Sequence, residues 1–362
     1  MAGERERELH VSAEYGINTD ALFFTSLVTP EALERVNGPL APVIAEAAAE
    51  IAADPQARVW FIGGGASLAA MHGGAYLLER FTGVPASVST GWQFLSRAPL
   101  AVDEHATVVL ASYSGETPEV LEAKRYAESR GARTIAVTNT TETPLAQGAN
   151  AVLDFRSKAV FTAPLAICYA LAAGIMEGRG ESADAAKALW SGLLALPGQM
   201  ETQAARTRDH ARDLARKAAD VDAFYVMGSG PNYGLAYKLS LSVIIENLWK
   251  DAAPVDGGEF YHGPIEIVPP AGAGDDRRAF LHLLGTDASR HVSQQAVRFC
   301  ESKGARNLIF DAADYPEFGD LFAPFALFVP TEWWVMEMAA QKNHDVDERR
   351  WMGKIGKRWG EY

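Results

Sequence analysis

Three hydroxyl side chains surround one glycine in the stretch ASYSGETPEV. Ser112, Ser114 and Thr117 lie around Gly115, directly before a segment with the pattern of a helix. Backbone N–H groups at a helix start carry partial positive charge, and hydroxyls add donors that rotate toward oxygen acceptors. A glycine lets the backbone approach a ligand closely. The stretch therefore predicts a site for a phosphate monoester.

The same residues also fit a plain structural interpretation. Thr117 followed by Pro and Glu is an ordinary helix start. Thr29, also followed by Pro and Glu, opens another predicted helix with no hydroxyl loop before it. From this stretch alone, a helix cap and a ligand site both remain open.

An acid and a base are needed for chemistry, and Glu246 and His262 lie sixteen positions apart. Glu246 interrupts the apolar run VIIENLW, so we expect partial burial, an environment that favours a general base. The alternative is an exposed Glu246 paired with Lys250, four residues later. His262 lies in the turn GGEFYHGP, where an imidazole can exchange protons near neutral pH. The alternative there is a solvated surface histidine.

Apolar runs that end in glycine turns must position these groups. VWFIGGGAS, TVVLAS and RTIAVTN predict buried strands, and EVLEAKRYAESRG predicts a helix between the last two. Strands that alternate with helices build parallel α/β sheets, whose ligands bind outside the carboxyl ends of the strands. The hydroxyl-rich stretch follows TVVL at such an end.

The second half of the chain repeats this pattern. FYVMGSGPNYG resembles VWFIGGGAS, and CESKGARNLIF matches AESRGARTIAV at an offset of 173 residues. So long an offset indicates domain duplication, because solenoid repeats span only about 20 to 50 residues. The offset aligns Gly285, Asp287 and Arg290 with the three hydroxyl positions. A carboxylate there would repel phosphate, so we expect one phosphate site, in the first half.

These patterns predict an α/β protein with two tandem domains, each a doubly wound, mostly parallel sheet flanked by helices. We predict an N-terminal helical segment (1–49), a first domain (50–180), a helical linker (181–220), a second domain (221–340) and a C-terminal tail (341–362).

Composition narrows the class of protein. The 362 residues are 48% hydrophobic and 22% charged, as in folded globular proteins, and the net charge of −13 argues against nucleic-acid binding. Cys168 and Cys300 have no neighbouring Cys or His at metal-ligand spacing, so we expect no disulfide, metal or cofactor. The charged N-terminus and the lack of long apolar runs predict a cytoplasmic protein without membrane contact.

SYSGET after a strand, GGGAS after the preceding strand and the closing TNTTETPLAQGANAVLDF resemble a sugar isomerase (SIS) domain. The second half resembles a diverged copy, so the resemblance runs from about residue 30 to the end. In that family the loop holds the phosphate of a sugar phosphate. The resemblance assigns substrate binding to Gly65, Ser67, Ser112, Tyr113, Ser114 and Thr117.

The resemblance also implies roles for the acid and base candidates. In two-domain SIS proteins of the glucosamine 6-phosphate synthase type, a helix Glu and a His followed by Gly-Pro have this spacing and transfer protons. Glu246 and His262 match them. The match implies a homodimer in which His262 reaches the site of the neighbouring subunit.

We do not expect synthase activity, because residue 2 is Ala and too few residues precede position 30 for a glutamine-hydrolysing domain. Val243 also replaces the helix Lys of the isomerase type. GGEFYHGPIEIV and DERRWMGKIGKRWGEY instead resemble the fructosamine 6-phosphate deglycases. We expect cleavage of a 6-phosphorylated ketosamine to glucose 6-phosphate and an amine. A ketose-aldose isomerase or deaminase, or a non-catalytic sugar phosphate sensor, is the alternative.

The C-terminal tail is basic and aromatic, and two interpretations of it stay open. In the first interpretation, the tail closes over the phosphorylated substrate. In the second, it is a solvated helix that packs its tryptophans on the protein. The residues concerned are Arg349, Arg350, Trp351, Lys354, Lys357, Arg358 and Trp359.

Overall fold

The structure, a computed structural model, describes residues 22–270, 272 and 276–352. It divides into two compact units. The first runs from Thr29 to Gly198, and the second contains the described residues before Thr29 and from Gln199 onward. The division falls inside the segment predicted as a helical linker, and the helices before residue 50 belong to the first unit.

Each unit contains one parallel sheet, which confirms the α/β fold with two tandem domains. The strands of the first sheet, in the order β2-β1-β3-β4-β5, are β1 (Arg58–Gly63), β2 (Ala86–Thr90), β3 (Ala106–Ala111), β4 (Arg133–Thr138) and β5 (Ala151–Asp154). Those of the second sheet, in the order β7-β6-β8-β9, are β6 (Ala223–Gly228), β7 (Asp251–Val255), β8 (Arg278–Leu284) and β9 (Asn307–Asp311).

Helices precede, connect and follow these strands. In chain order they are α1 (Leu22–Thr25), α2 (Pro30–Asn37), α3 (Ala41–Ala53), α4 (Gly65–Phe81), α5 (Gly91–Arg97), α6 (Pro118–Ser129), α7 (Thr162–Arg179), α8 (Ala183–Arg206), α9 (Arg208–Lys217), α10 (Tyr233–Leu239), α11 (Glu246–Leu248), α12 (Arg290–Ser302) and α13 (Ala323–Ala340). A π-helical segment, Ser240–Ile245, joins α10 to α11. Short 3-10 helices cover Gly230–Asn232, Glu259–His262, Pro264–Ile267, Ala312–Asp314, Pro316–Phe318 and Asp320–Phe322.

The predicted strand TVVL lies within β3, the central strand of the first sheet. All six residues of β3 are buried, because helices cover both faces of a parallel sheet. The helix α6 that follows buries Val120, Ala123 and Ala127, at helical spacing, in the same core cluster as Leu110 of β3. This packing fixes the start of α6, and with it the hydroxyl-rich stretch, at the carboxyl end of β3.

The sequence repeat has a structural counterpart. In each unit a helix ends on a glycine of positive φ, Gly131 (+80°) after α6 and Gly304 (+71°) after α12, and the next parallel strand follows. The first four strands of one sheet and the four strands of the other have the same spatial order. None of the helices in the described ranges combines the length and apolarity needed to cross a membrane.

Candidate functional site

The hydroxyl-rich stretch lies at the switch point of the first sheet. Because β1 is flanked by β2 and β3, the chain leaves β1 and β3 toward opposite sides, and ligands bind at such points in open α/β sheets. A Cβ atom on Gly63, at the end of β1, would lie 3.2 Å from the carbonyl oxygen of Ala111, at the end of β3. The turn after β1 and the loop after β3 are therefore neighbours.

We call residues 112–117 the first cup. The Ser112 hydroxyl, which is buried, accepts the N–H of Gly115 at 3.1 Å and lies 2.8 Å from the Thr117 hydroxyl. The Ser114 hydroxyl accepts the N–H of Glu116 at 3.3 Å. Thr117 makes no side-chain capping bond to the described residues of α6. The three hydroxyls thus shape a compact polar loop at a helix start.

The backbone conformation and the close neighbour of Gly115 both disfavour a side chain at this position. Its φ is +61°, and a Cβ atom there would lie 2.3 Å from the Cβ atom of Thr143. Thr143 belongs to the segment after β4, and the carbonyl oxygen of Gly115 accepts the N–H of Leu145 from that segment at 3.0 Å. The glycine therefore allows a second loop to support the first cup from behind.

The turn after β1 brings a second helix start to the same edge of the sheet. Gly65 opens α4 with a φ of +55° and is exposed, whereas Ser67 in the first turn is buried. The N-termini of α4 and α6 both follow carboxyl ends of adjacent strands, so their partial positive charges favour an anion at this edge.

Tyr113 supports the first cup through its backbone and its ring. Its carbonyl oxygen accepts the N–H of Asn139 at 3.2 Å, and its ring lies 6.1 Å from that of Phe155. The predicted substrate-binding residues of the first unit are thus brought together at one edge of the sheet.

We call the corresponding loop of the second unit, residues 285–290, the second cup. Its polar side chains bond to other groups of the same unit. Arg290 donates to the carbonyl oxygen of Gly285 and, through both terminal nitrogens, to the carboxylate of Asp311, each at 2.7 Å. Asp287 accepts the Ser289 hydroxyl at 2.8 Å. The arginine is neutralised inside the unit, and a carboxylate lies where the first cup has Ser114.

Glu246 opens α11, directly after the π-helical segment, and π-helical turns are frequent at functional sites. Its side chain is 20% exposed, which confirms the predicted partial burial. The Nε atom of Arg349 donates to Glu246 Oε1 at 2.7 Å. The alternative partner is wrong, because Lys250 bonds to the carbonyl oxygen of Val221 and to Asp222.

A buried ion pair anchors the helix that leads to Glu246. Lys238 of α10 donates to Glu332 of α13 at 2.7 Å, and both side chains are almost fully buried. Burial raises the pKa of Glu332, and the charge and hydrogen bond of Lys238 oppose that shift. Breaking one side of such a pair is costly, so the pair holds α10 against α13.

His262 is exposed at the end of the 3-10 turn Glu259–His262. Phe260 anchors this turn: its side chain is fully buried, and its ring lies 6.0 Å from the ring of Phe299. A cavity of about 440 Å³ lies beside the turn, lined by Tyr233, Pro254, Val255, Asp256, Glu259 and Pro264. The imidazole is therefore exposed on a turn that Phe260 anchors to the unit.

Comparisons with known proteins agree with this geometry. The SIS domain family matches residues 54–175, which include β1, the first cup and α6. Fructosamine deglycase FrlB of Bacillus subtilis is 30% identical over 308 residues, which cover 82% of this chain and 92% of the relative. This chain belongs to the two-domain SIS family. Fructoselysine 6-phosphate deglycase of Escherichia coli K12 is 28% identical over 299 residues, covering 82% of this chain and 86% of the relative.

Two solved structures have a similar fold. A candidate phosphosugar isomerase of Salmonella typhimurium LT2 superimposes with a TM-score of 0.75 at 25% identity, covering 85% of this chain and 96% of that one. A candidate phosphosugar isomerase of Bacillus subtilis gives 0.73 at 27% identity, covering 91% and 98%. The tandem arrangement of parallel sheets is thus shared along most of the chain.

Two contacts in this SIS protein were not predicted from its sequence. Thr143 lies in the quoted segment TNTTETP, but nothing in the pattern indicated that it packs behind Gly115. Arg349 was assigned to a basic tail, whereas it contacts Glu246, 103 residues away. The signals available in the sequence were Gly115 in the loop and the neighbouring arginines Arg349 and Arg350 in the tail. Neither signal indicates which distant residue is contacted.

The described part of the tail, residues 341–352, forms turns and bends. The guanidinium of Arg350 lies 4.3 Å above the Trp249 ring, and Trp351 is exposed. The remaining basic and aromatic residues of the tail, Lys354, Lys357, Arg358 and Trp359, lie outside the described residues.

Proposed function

We propose that this protein is a deglycase that converts a 6-phosphorylated ketosamine into glucose 6-phosphate and an amine. The observation that carries the proposal is the first cup, where three hydroxyls meet the N-terminus of α6 at the switch point of the sheet. The deglycase names of the relatives described above support the ketosamine as the substrate class.

The first cup would hold the 6-phosphate. Ser112, Ser114 and Thr117 would donate hydroxyl hydrogens to phosphate oxygens, and the starts of α4 and α6 would add backbone N–H groups. Gly65 and Ser67 would contact the phosphate from the turn after β1. The net charge of the chain is −13, which on average repels anions. The local concentration of hydrogen-bond donors would therefore have to attract the phosphate.

Glu246 would act as the base on the sugar carbons. It would remove a proton from C1 while His262 donates a proton to the C2 oxygen, which gives an enaminol. Return of the proton to C2 and loss of the proton on nitrogen would give a Schiff base between C1 and the amine. Water would then add to C1 and release glucose 6-phosphate and the free amine. A positioned base of this kind contributes about 10² to 10⁴ in rate.

His262 would serve the site of a neighbouring subunit in a homodimer. Its exposure on an anchored turn supports this arrangement, because the imidazole is presented to the outside of its own unit. A mixture of Glu246→Gln and His262→Asn subunits would then regain part of the activity that each variant lacks, since one of its two sites would be intact.

The direct test is to incubate the protein with 6-phosphofructosyl-lysine and to follow glucose 6-phosphate through a coupled dehydrogenase. We expect turnover by the unmodified protein and a loss of about 10² to 10⁴ in kcat for Glu246→Gln. Binding of fructose 6-phosphate, measured by calorimetry, should stay unchanged. Glu301→Gln, on the exposed face of α12, is the matched control and should keep full activity.

The outcomes separate the alternatives. Turnover that persists in Glu246→Gln would remove this residue from the mechanism. Production of an aldose phosphate from fructose 6-phosphate, with no release of amine from the ketosamine, would favour an isomerase or deaminase. Binding without any turnover would favour a sensor.

A further inference from the structure

Arg349 contacts the proposed base directly. Its Nε atom lies 2.7 Å from Glu246 Oε1, and both side chains are only one-fifth exposed. A charge-assisted bond at this distance is strong and directional. Among the described residues, no donor reaches the second carboxylate oxygen, Oε2. The arginine thus holds one oxygen and leaves the other for a proton.

Arg349 is itself held in one orientation. Its Nη1 atom donates to the carbonyl oxygens of Val346 at 2.6 Å and Glu348 at 3.3 Å. Because the guanidinium is planar, bonds at Nη1 and Nε fix the direction in which the group points. The contact with Glu246 is therefore not the loose pairing of two flexible surface side chains.

The segment that carries Arg349, residues 344–350, also contacts the residues that follow Glu246 in the chain. Asn247, which is buried, donates to the carbonyl oxygen of Val346 at 2.7 Å, and its own carbonyl oxygen lies 2.6 Å from His344 Nε2. The His344 ring also packs edge-on against the Trp249 ring, with 4.4 Å between the ring centroids. The residues that follow Glu246 and the segment 344–350 thus form one packed arrangement.

We propose that Arg349 is a positioning residue that holds the Glu246 carboxylate so that Oε2 faces the reacting carbon. This inference rests on the proposed function, because it needs Glu246 to be the base. A carboxylate free to rotate would spend less time in the reactive geometry, and small misplacements of a reacting group cost about 10²-fold in rate. Phosphate binding would be unaffected, because the first cup does not involve Arg349.

The test compares Arg349→Gln and Arg349→Lys with the unmodified protein in the deglycase assay. We expect kcat to fall about 10- to 10²-fold for Gln and less for Lys, which keeps the charge but not the planar fork. KM should change less than about threefold, because the phosphate loop is intact. With substrate deuterated at C1, the primary isotope effect on kcat should increase, since proton removal becomes slower than the other steps.

Two further arginines serve as controls. Arg216→Gln removes an exposed arginine paired with Asp213 and should behave as the unmodified protein. Arg350→Gln removes the stacking on Trp249 and weakens docking of the segment without touching Glu246. If Arg350→Gln lowers kcat as much as Arg349→Gln, docking of the segment and not the contact with Glu246 matters, and the inference is overturned.

The inference and the proposed function fail in different ways. An active protein that loses turnover in Glu246→Gln, but keeps its kcat and isotope effect in Arg349→Gln, would overturn the inference alone. An unmodified protein without deglycase activity, or an active Glu246→Gln, would overturn both. A melting temperature of Arg349→Gln close to that of the unmodified protein would exclude unfolding as the cause of a lower kcat.

Discussion

The first and second cups occupy equivalent places in the two units but are built from different side chains. In the first cup, Ser112, Ser114 and Thr117 supply neutral hydroxyls that can turn toward an anion. In the second cup, Asp287 brings a negative charge, and Arg290 is paired with Asp311. The same strand, loop and helix order thus carries the proposed phosphate site in one unit and internal ion pairing in the other.

The backbone of the two loops differs as well. Gly115 has a φ of +61°, whereas Ala288, at the equivalent position of the repeat, does not lie in the left-handed region. A residue with a Cβ atom would not fit against Thr143 in the first cup. The repeated fold thus places a loop at the same point of each sheet, and on the proposed function a few side chains decide which of the two loops binds phosphate.

A carboxylate introduced into the first cup, at the position that Asp287 has in the second, should have the largest effect on binding of fructose 6-phosphate. Ser114→Asp puts a negative charge beside the proposed phosphate, and such like-charge contacts cost several kcal/mol, so affinity for fructose 6-phosphate should fall at least about 10²-fold. Calorimetry measures the affinity. Ser129→Asp, an exposed position at the end of α6, adds the same charge elsewhere and should bind normally. Normal binding by Ser114→Asp would show that the phosphate is held somewhere else.

A change in the backbone of the first cup should have an intermediate effect. Gly115→Ala forces a Cβ atom against Thr143 at a positive φ, so we expect a loss of about 1–3 kcal/mol in the free energy of unfolding. Affinity for fructose 6-phosphate should fall about tenfold, because the N–H of Gly115 shifts away from Ser112 and the loop loses its shape.

Gly180→Ala is the control for Gly115→Ala. Gly180 has nearly the same φ, +66°, but nothing lies within 4 Å of the added Cβ atom. Gly180→Ala should lower the free energy of unfolding, measured by chemical denaturation, by only about 1 kcal/mol. Its affinity for fructose 6-phosphate should stay unchanged. Equal effects of the two substitutions would mean that the contact with Thr143 does not shape the first cup.

Breaking the ion pair between Arg290 and Asp311 in the second cup should leave binding of fructose 6-phosphate unchanged, the smallest effect of the three. Arg290→Gln should lower the melting temperature near neutral pH, because it leaves Asp311, which is only 21% exposed, without its partner. Affinity for fructose 6-phosphate should not change. A measurable loss of affinity would indicate that the second cup also contributes to ligand binding.

The stability effect of Arg290→Gln should depend on pH. Burial alone would raise the pKa of Asp311, but the hydrogen bonds from Arg290 and Ala313, with the charge of Arg290, lower the pKa below its ordinary value of 3.8. The pair therefore stabilises the folded state above pH 3.8, and this contribution is lost as the pH falls through the folded-state pKa. The difference in melting temperature between the two proteins should shrink in acid.

The sequence was enough to predict the strands β1, β3 and β4, the repeat and the position of the first cup. Apolar runs that end in glycines encode buried strands and turns locally, through period and backbone conformation. The repeat carried this information to the second unit, where GSG after β6 and GAR before β9 mark equivalent places. Partial burial of Glu246 followed from the apolar residues on both sides of it.

The partners of these residues were decided only by the tertiary structure. Arg349 meets Glu246 across 103 residues, Arg290 pairs with Asp311 on the next strand, and Thr143 fills the space that Gly115 leaves open. Local periodicity specifies which face of an element is buried, but it contains no information on which distant side chain meets that face. That choice depends on how the helices, strands and loops pack, so the residues of the candidate site could be read from the sequence and their orientation could not.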